Sequence, residues 1–131
     1  LYLEMRSAYP EVPIHIVPGV TSTHAAAAAA GLPVALLDEQ VAVVPAVYGL
    51  THLEALTEVF ATVFLIKVHT VFDQLLETLP RLPRSCQAVY VERVGTPEER
   101  VVHDLCTLRG QPLSYFSLVI LRHDKSTLSA A

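Results

Sequence analysis

An α/β fold, built on a mixed parallel and antiparallel sheet with flanking helices, is what this sequence predicts, on three observations. Apolar runs of strand length alternate with helix-like stretches through the first half of the chain, the pattern of parallel strands joined by helices. The last third carries strand-like runs joined by short turns at Gly95-Thr96-Pro97 and Gly110-Gln111-Pro112, which implies antiparallel pairing. Hydrophobic residues make up 52% of 131 positions, enough for a real core in one domain, or in one small domain plus a piece of another.

The elements follow in order. Leu1 to Tyr9 reads as a helix, with Leu1, Met5 and Ala8 at helical spacing and Pro10 and Pro13 closing it. Ile14 to Val17 is a short apolar run of the kind found in a buried strand. Pro18-Gly19 is turn punctuation. Thr21, Ser22 or Thr23 can cap the next helix, whose Ala25 to Ala30 run is the best helix former available. Gly31 and Pro33 then end it. Leu36 to Gln40 is a polar connection, and Val41 to Val47 is an apolar, β-branched strand with Pro45 near its end. Tyr48-Gly49 reads as a turn. Thr51 with Glu54 three residues on forms a capping box for a helix whose apolar face is Leu53, Leu56 and Phe60.

Thr62 to Val68 is the next strand, and Lys67 near its end either faces a ligand at the strand mouth or snorkels to water. Val71 to Leu79 is a helix with Phe72, Leu75, Leu76 and Leu79 on one side, ended by Pro80 and Pro83. Strands follow at Ala88 to Val94, Arg100 to His103, Leu105 to Leu108 and Tyr115 to Arg122. Lys125 to Ala131 is expected to be a loose tail.

The strand–turn–helix stretch from Val17 to His24 organises the chain. A hydroxyl-bearing turn opening into a helix exposes backbone N–H groups where open α/β sheets bind ligands. Such junctions are also plain connections, and the alanines serve equally as a tightly packed helix or as a surface that a flat ligand can approach.

Several chemistries are excluded. The formal charge is −4 and the nine Lys and Arg residues form no basic stripe, so nucleic acid is not an expected partner. His15, His24, His52, His69, His103 and His123 show no paired ligand spacing, so no metal site is expected. Cys86 and Cys106 read as two buried, reduced thiols of a cytosolic protein. No apolar run reaches bilayer length, and no secretory signal is visible, so the expected location is cytoplasmic, with no membrane partner. There is no nucleophile elbow, phosphate loop or dinucleotide loop. Glu98-Glu99 beside Arg100 reads as a solvated turn. The chain opens on Leu inside a helix-like stretch, and we expect it to be the C-terminal portion of something longer.

Three stretches together resemble one family, the tetrapyrrole (corrin/porphyrin) methyltransferases. Tyr9-Pro10-Glu11-Val12-Pro13 leading to Val17-Pro18-Gly19-Val20-Thr21-Ser22, with the alanine helix and Gly31-Leu32-Pro33, resembles the junction between that family's two domains. Phe64-Leu65-Ile66-Lys67-Val68 is similar to its strand ending in Met-Lys or Met-Gly. Val91-Glu92-Arg93-Val94-Gly95-Thr96-Pro97-Glu98-Glu99-Arg100-Val101 is similar to its Glu-Arg-Ala-Thr-x-x-x-Gln-Arg segment. Within the family, Asp38 to Ala46 and Ser114 to Ile120 point to the precorrin-2 C(20)-methyltransferase branch.

The resemblance implies a two-domain enzyme of cobalamin biosynthesis, a homodimer, with S-adenosylmethionine in the cleft between its domains and S-adenosylhomocysteine as product. Residues 1–33 would end the first domain and form the linker, and 34–124 would be the C-terminal methylase domain. By the match, Thr21 and Ser22 would meet the cofactor with hydroxyl and backbone groups. Ile66 and Lys67 would border the adenosine through backbone atoms, and Gly95 and Thr96 would line the adenine side, with Tyr48 a further candidate. The sequence departs from the pattern at Ile66, where Met is usual, and at Glu99, where Gln is usual. The family's glycine-rich first loop and its Gly-Asp-Pro segment are not in this chain. The other readings are a cobalt-factor II methyltransferase of the same family, and a non-catalytic dimerising domain. The substrate would be precorrin-2 or a related tetrapyrrole.

Overall fold

The β-branched runs become the strands of a single sheet. In a computed structural model, which describes residues 1–124, the strands are β1 (Val41–Pro45), β2 (Thr62–Ile66), β3 (Cys86–Glu92), β4 (Arg100–Val102) and β5 (Ser117–His123). The helices are α1 (Tyr2–Ala8), α2 (Ser22–Ala30), α3 (Ala46–Gly49), α4 (Leu53–Val59) and α5 (Phe72–Thr78). The sheet order is β1-β2-β5-β3-β4. β1 and β2 are parallel, joined through α3 and α4, with Val43 opposite Phe64. β5 lies antiparallel between β2 and β3, with Ile120 opposite both Phe64 and Val89. β4 pairs antiparallel with β3, Val101 opposite Val91. The expected mixture of parallel and antiparallel pairing is therefore present. Because β2 and β3 both oppose β5, they run the same way, and with β1 their carboxyl ends share one edge of the sheet.

Strand alternation sends successive side chains to opposite faces. One face carries Val63, Leu65, Tyr90, Val119 and Leu121, and buries them against Leu53 of α4 and Phe72, Leu75 and Leu76 of α5. The other carries Phe64, Val89, Val91, Leu118 and Ile120, and meets Ala26 and Ala27 of α2. Methyl-sized side chains let that helix lie close to the sheet. Thr21 is its N-cap, accepting the His24 N–H at 3.4 Å. Gly31 closes it in the left-handed region at φ 67°, and the Leu32 N–H reaches back to the Ala27 carbonyl at 2.9 Å.

Several expected elements differ. Ile14 to Val17 forms no strand, and Ile16 and Val17 are exposed. Apolarity signals a wish for burial but not a partner, and no strand lies beside this run among the described residues. α1 likewise buries no residue. The strand expected over Val41 to Val47 stops at Pro45, which N-caps α3; its ring is tolerated because β1 is an edge strand. Tyr48 and Gly49 are helical rather than a turn. Gly49 is needed there for close approach, since a Cβ would sit 2.8 Å from Val44 Cγ1. Thr51 forms no capping box. It lies in a 3-10 turn, Leu50–His52, and its hydroxyl donates to the Tyr48 carbonyl at 3.4 Å. The chain is already helical from Ala46, so the preceding turn, not a side chain, leads into α4.

Leu105–Leu108 is a 3-10 helix, not a strand. Asp104 caps it, accepting the Cys106 N–H at 3.2 Å, and the buried leucines stand three apart, the period of that helix. Of the thiols, Cys86 is half-buried while Cys106 is exposed, so the expectation of two buried thiols fails at Cys106. Burial pushes the Cys86 thiol up to about 11. The tail expected over residues 125–131 lies outside the described residues.

Candidate functional site

At the edge where β2 and β3 end, the sheet face left open by the short α2 forms a pocket of about 670 Å³. Ser22 and Ala26 of α2 form one wall. Ile66 and Lys67 come from the end of β2, Val91 and the loop after β3 supply Arg93, Val94, Thr96 and Glu98, and the start of β5 adds Tyr115 to Leu118. This is where α/β sheets place ligands, beyond the carboxyl ends of the strands.

Four of the seven residues expected at the cofactor line this pocket: Ser22, Ile66, Lys67 and Thr96. Thr21, Tyr48 and Gly95 do not line it. Thr21 is occupied by its own helix start, its hydroxyl 2.8 Å from the Thr23 hydroxyl and 2.9 Å from His24 Nδ1. Tyr48 stands exposed on α3. The Gly95 N–H donates to Glu99 Oε2 at 2.7 Å. That bond gives Glu99 a role that the usual glutamine could also fill through its amide oxygen.

Thr96 lines the pocket with its hydrogen-bonding groups already engaged. Its hydroxyl donates to the Arg93 carbonyl at 2.8 Å and accepts the Glu98 N–H at 3.2 Å. Its own N–H also goes to Arg93 O, and its carbonyl accepts Glu99 N–H. Thr96 thus shapes the loop rather than offering a free donor. Ser22 is different: among the described residues its hydroxyl has no partner, and it opens the helix whose His24 N–H is already taken by Thr21.

Two residues at this edge hold strained backbone. Lys67 sits in the left-handed region at φ 59° and ψ 39°, and Arg93 at φ 50°. Each follows directly on a strand end, so β2 and β3 turn away from the sheet by the same device. Side chains with a Cβ hold this conformation only when the surroundings impose it. Lys67→Gly is therefore expected to raise stability by about 1 kcal/mol, and Lys67→Val to lower it by a similar amount, in urea denaturation. Equal stability of all three proteins would show that the turn carries no strain.

A polar cluster braces the end of β3 on the opposite face. The Tyr90 hydroxyl donates to Glu92 Oε2, and Arg100 pairs with Glu92 Oε1 at 3.0 Å. Burial would raise the Glu92 carboxyl, but the Tyr90 hydroxyl, Arg100 and the Ser114 N–H together hold it below its ordinary value. Burial, then the Glu92 contact, push Tyr90 up to about 12.

The pocket also contains residues that the sequence reading did not assign to it: Val91, Arg93, Val94, Glu98 and Tyr115 to Leu118. Val91 and Leu118 face it through strand register, which a one-residue slip would reverse. Tyr115 and Phe116 carried a usable signal, two aromatics in a turn just ahead of a strand.

The family model of the tetrapyrrole (corrin/porphyrin) methylases matches residues 1–108. A precorrin-2 C(20)-methyltransferase of Sinorhizobium sp is 30% identical over 122 residues, covering 92% of this chain and 49% of that protein. The chain thus spans about half the length of that curated relative. Solved structures share the fold, two of them as follows. One is a cobalamin biosynthetic enzyme, a cobalt precorrin-4 methyltransferase (TM-score 0.64, 24% identity, 94% of this chain and 59% of that one). The other is a uroporphyrin-III C-methyl transferase from Thermus thermophilus complexed with S-adenyl homocysteine (TM-score 0.60, 24% identity, 96% and 59%).

Proposed function

Because this chain belongs to the tetrapyrrole (corrin/porphyrin) methylase family, we propose that it is the C-terminal portion of an S-adenosylmethionine-dependent methyltransferase acting on precorrin-2 at C(20) in cobalamin biosynthesis. The observation that carries the reading is the pocket at the carboxyl ends of β2 and β3, lined by Ser22, Ile66, Lys67 and Thr96. The precorrin-2 assignment is supported by the 30% identical relative and by the stretches Asp38 to Ala46 and Ser114 to Ile120.

The residues present suit the cofactor. Ala26, Ile66, Val91 and Leu118 give apolar walls for a flat base. Ser22 offers a free hydroxyl at a helix start, and Glu98 a carboxylate. When bound, the cofactor supplies a methyl group from its sulfonium. The substrate's meso carbon, part of an electron-rich conjugated system, is its own nucleophile, so the protein's share is proximity and alignment, with fixed dipoles beside the reacting charges. The bonded loop from Arg93 to Glu99 and the α2 start provide a preset wall for this. In our reading the protein is cytoplasmic and homodimeric, and light scattering checks the second point.

The first test is the coding sequence upstream of Leu1, read for a glycine-rich loop after a strand and a Gly-Asp-Pro-like turn. The 131 residues alone are expected to transfer no labelled methyl group to precorrin-2. The protein extended by that upstream segment is expected to transfer it. Turnover by the 131 residues alone would refute the need for a second half. No transfer to any tetrapyrrole by the extended protein would refute the methyltransferase reading.

A further inference from the structure

On the side of the sheet that α5 covers lies a second, smaller cavity of about 180 Å³, with His69, Asp73, Gln74 and Gln111 among its lining groups. His69 links it to the larger pocket. It lies in the 3-10 turn Val68–Thr70, two residues beyond the left-handed Lys67. Its ring meets that of Tyr115 edge to face at 5.2 Å, and Tyr115 lines the larger pocket. Tyr115 is 65% exposed, so its place depends on few neighbours, and among the described residues the rings that touch it are those of His69 and Phe116. His69 itself is half-buried. Its Nδ1 is buried with no hydrogen-bond partner among the described residues. Buried polar atoms are nearly always paired, so this orphan needs a reason.

The two charge states of His69 fare differently in this place. Neutral, with its proton on Nε2, the ring leaves Nδ1 a bare lone pair that forgoes one hydrogen bond. Protonated, the same atom becomes a charged donor, buried and unpaired, which is a far costlier state. The smaller cavity offers that donor acceptors. Asp73, in the first turn of α5, supplies a carboxylate. The Gln111 amide nitrogen is already given to the Thr107 carbonyl at 2.7 Å, which leaves the amide oxygen as an acceptor. The other charges close by are Lys67, exposed on the same stretch of chain, and Glu92, which receives the Ser114 N–H beside Tyr115 at 3.4 Å and is paired with Arg100.

We propose that His69 is a positioning residue that makes the larger pocket sensitive to protons. Neutral, it holds the Tyr115 ring in the pocket lining. Protonated, it turns to Asp73 across the smaller cavity and leaves Tyr115 without that support. Histidine is the side chain whose charge changes between about pH 5 and 8, so the change falls where a cell can use it. This inference rests on the cofactor reading of the pocket and adds to it a regulation by pH.

The test titrates S-adenosylhomocysteine by calorimetry into the 131-residue chain at about pH 8 and about pH 5.5. Affinity is expected to fall about five-fold in acid, within what an edge-to-face aromatic pair contributes. His69→Ala is expected to show the weaker affinity at both pH values. His69→Phe keeps a ring and has no titratable nitrogen, and it is expected to restore the affinity at both. His24→Gln, which removes the histidine next but one to Ser22, is expected to keep the acid loss. In parallel, the Tyr115 ring signals, identified by their absence in Tyr115→Leu, are followed by NMR without ligand. They are expected to move with pH in the natural chain and in His24→Gln, and to stay still in His69→Phe. An acid loss that survives in His69→Phe overturns the switch. So does full affinity in His69→Ala, and so do Tyr115 signals that ignore pH. Tyr115 signals that move as expected in a chain that binds no S-adenosylhomocysteine at either pH uphold the switch and count against the cofactor reading.

Discussion

Replacing Glu39 by alanine is expected to lower stability by about 3 kcal/mol, because it strands a buried guanidinium. Arg122 lies near the end of the central strand β5, its side chain 6% exposed and that of Glu39 15%. Its Nη1 is 2.7 Å from Glu39 Oε2 and its Nη2 3.1 Å from Oε1, a two-pronged pair. Nη1 also donates to the Thr62 hydroxyl at 2.8 Å, across the register from β5 to β2. Glu39 in turn accepts the Leu36 N–H at 2.8 Å, so the pair pins the connection before β1 to the sheet. With the carboxylate gone, the Thr62 hydroxyl remains as a neutral hydrogen-bond partner to a charge that water barely reaches. The double variant Glu39→Leu/Arg122→Met is expected to recover most of the loss, since apolar groups of similar volume replace such pairs at little cost. A loss below about 1 kcal/mol for Glu39→Ala would place the pair among ordinary surface ion pairs.

The same pair fixes a pH dependence. The hydrogen bond from Arg122 is the main cause that holds the Glu39 carboxyl below its ordinary value, against the opposing effect of burial. A depressed folded pKa means that the contribution is complete above the unfolded value of about 4.3 and is lost as the pH falls through the lower folded value. The gap in denaturation midpoint between the natural chain and Glu39→Gln is therefore expected to be constant near neutrality and to close in acid. A gap that widens in acid would reverse the sign and contradict the pairing.

What could be read from the sequence divides by physical cause. The sheet was legible because the β-branched runs at Val41, Thr62, Ala88 and Tyr115 carry their own period, and the mixed pairing followed from what joins them. α2 was legible from end to end, since Thr21, the alanines and Gly31 are local signals acting within a few residues. Ile14 to Val17 was misread because a strand needs a partner, and nothing in the run says where one is. Leu105–Leu108 was misread because a four-residue apolar stretch fits either period. At the pocket, Ser22, Ile66, Lys67 and Thr96 were legible because each follows a turn or strand end that the family resemblance marks. Val91 and Leu118 were not, since which face they take depends on a register set by β5 lying between β2 and β3. The paired αL turns at Lys67 and Arg93 left no trace in residue type, since glycine, the usual marker, is absent from both.

Ala26→Leu is expected to have the largest effect on the site. Ala26 is 0% exposed, and it serves two surfaces at once: it belongs to the buried cluster that includes Phe64, Val89, Val91 and Leu118, and it forms part of the pocket wall. Three added carbons cannot be absorbed on the sheet side, where the strand residues beneath are themselves buried. They must lift the start of α2 or project into the cavity. Overpacking of this kind costs about 1–3 kcal/mol. Either response removes the wall beside Ser22, so S-adenosylhomocysteine binding is expected to fall by at least roughly ten-fold, the equivalent of about 1.4 kcal/mol. Ala28→Leu is the control. It lies two residues on, exposed, in the same helix, and leucine is nearly as good a helix former as alanine. It is expected to leave both stability and binding unchanged. If Ala26→Leu lowers stability alone, the alanine run serves only the packing of helix on sheet. If both variants weaken binding equally, the effect belongs to the helix as a whole. Only a loss of binding confined to Ala26 supports the reading in which the small side chains exist to let a flat ligand lie against the helix.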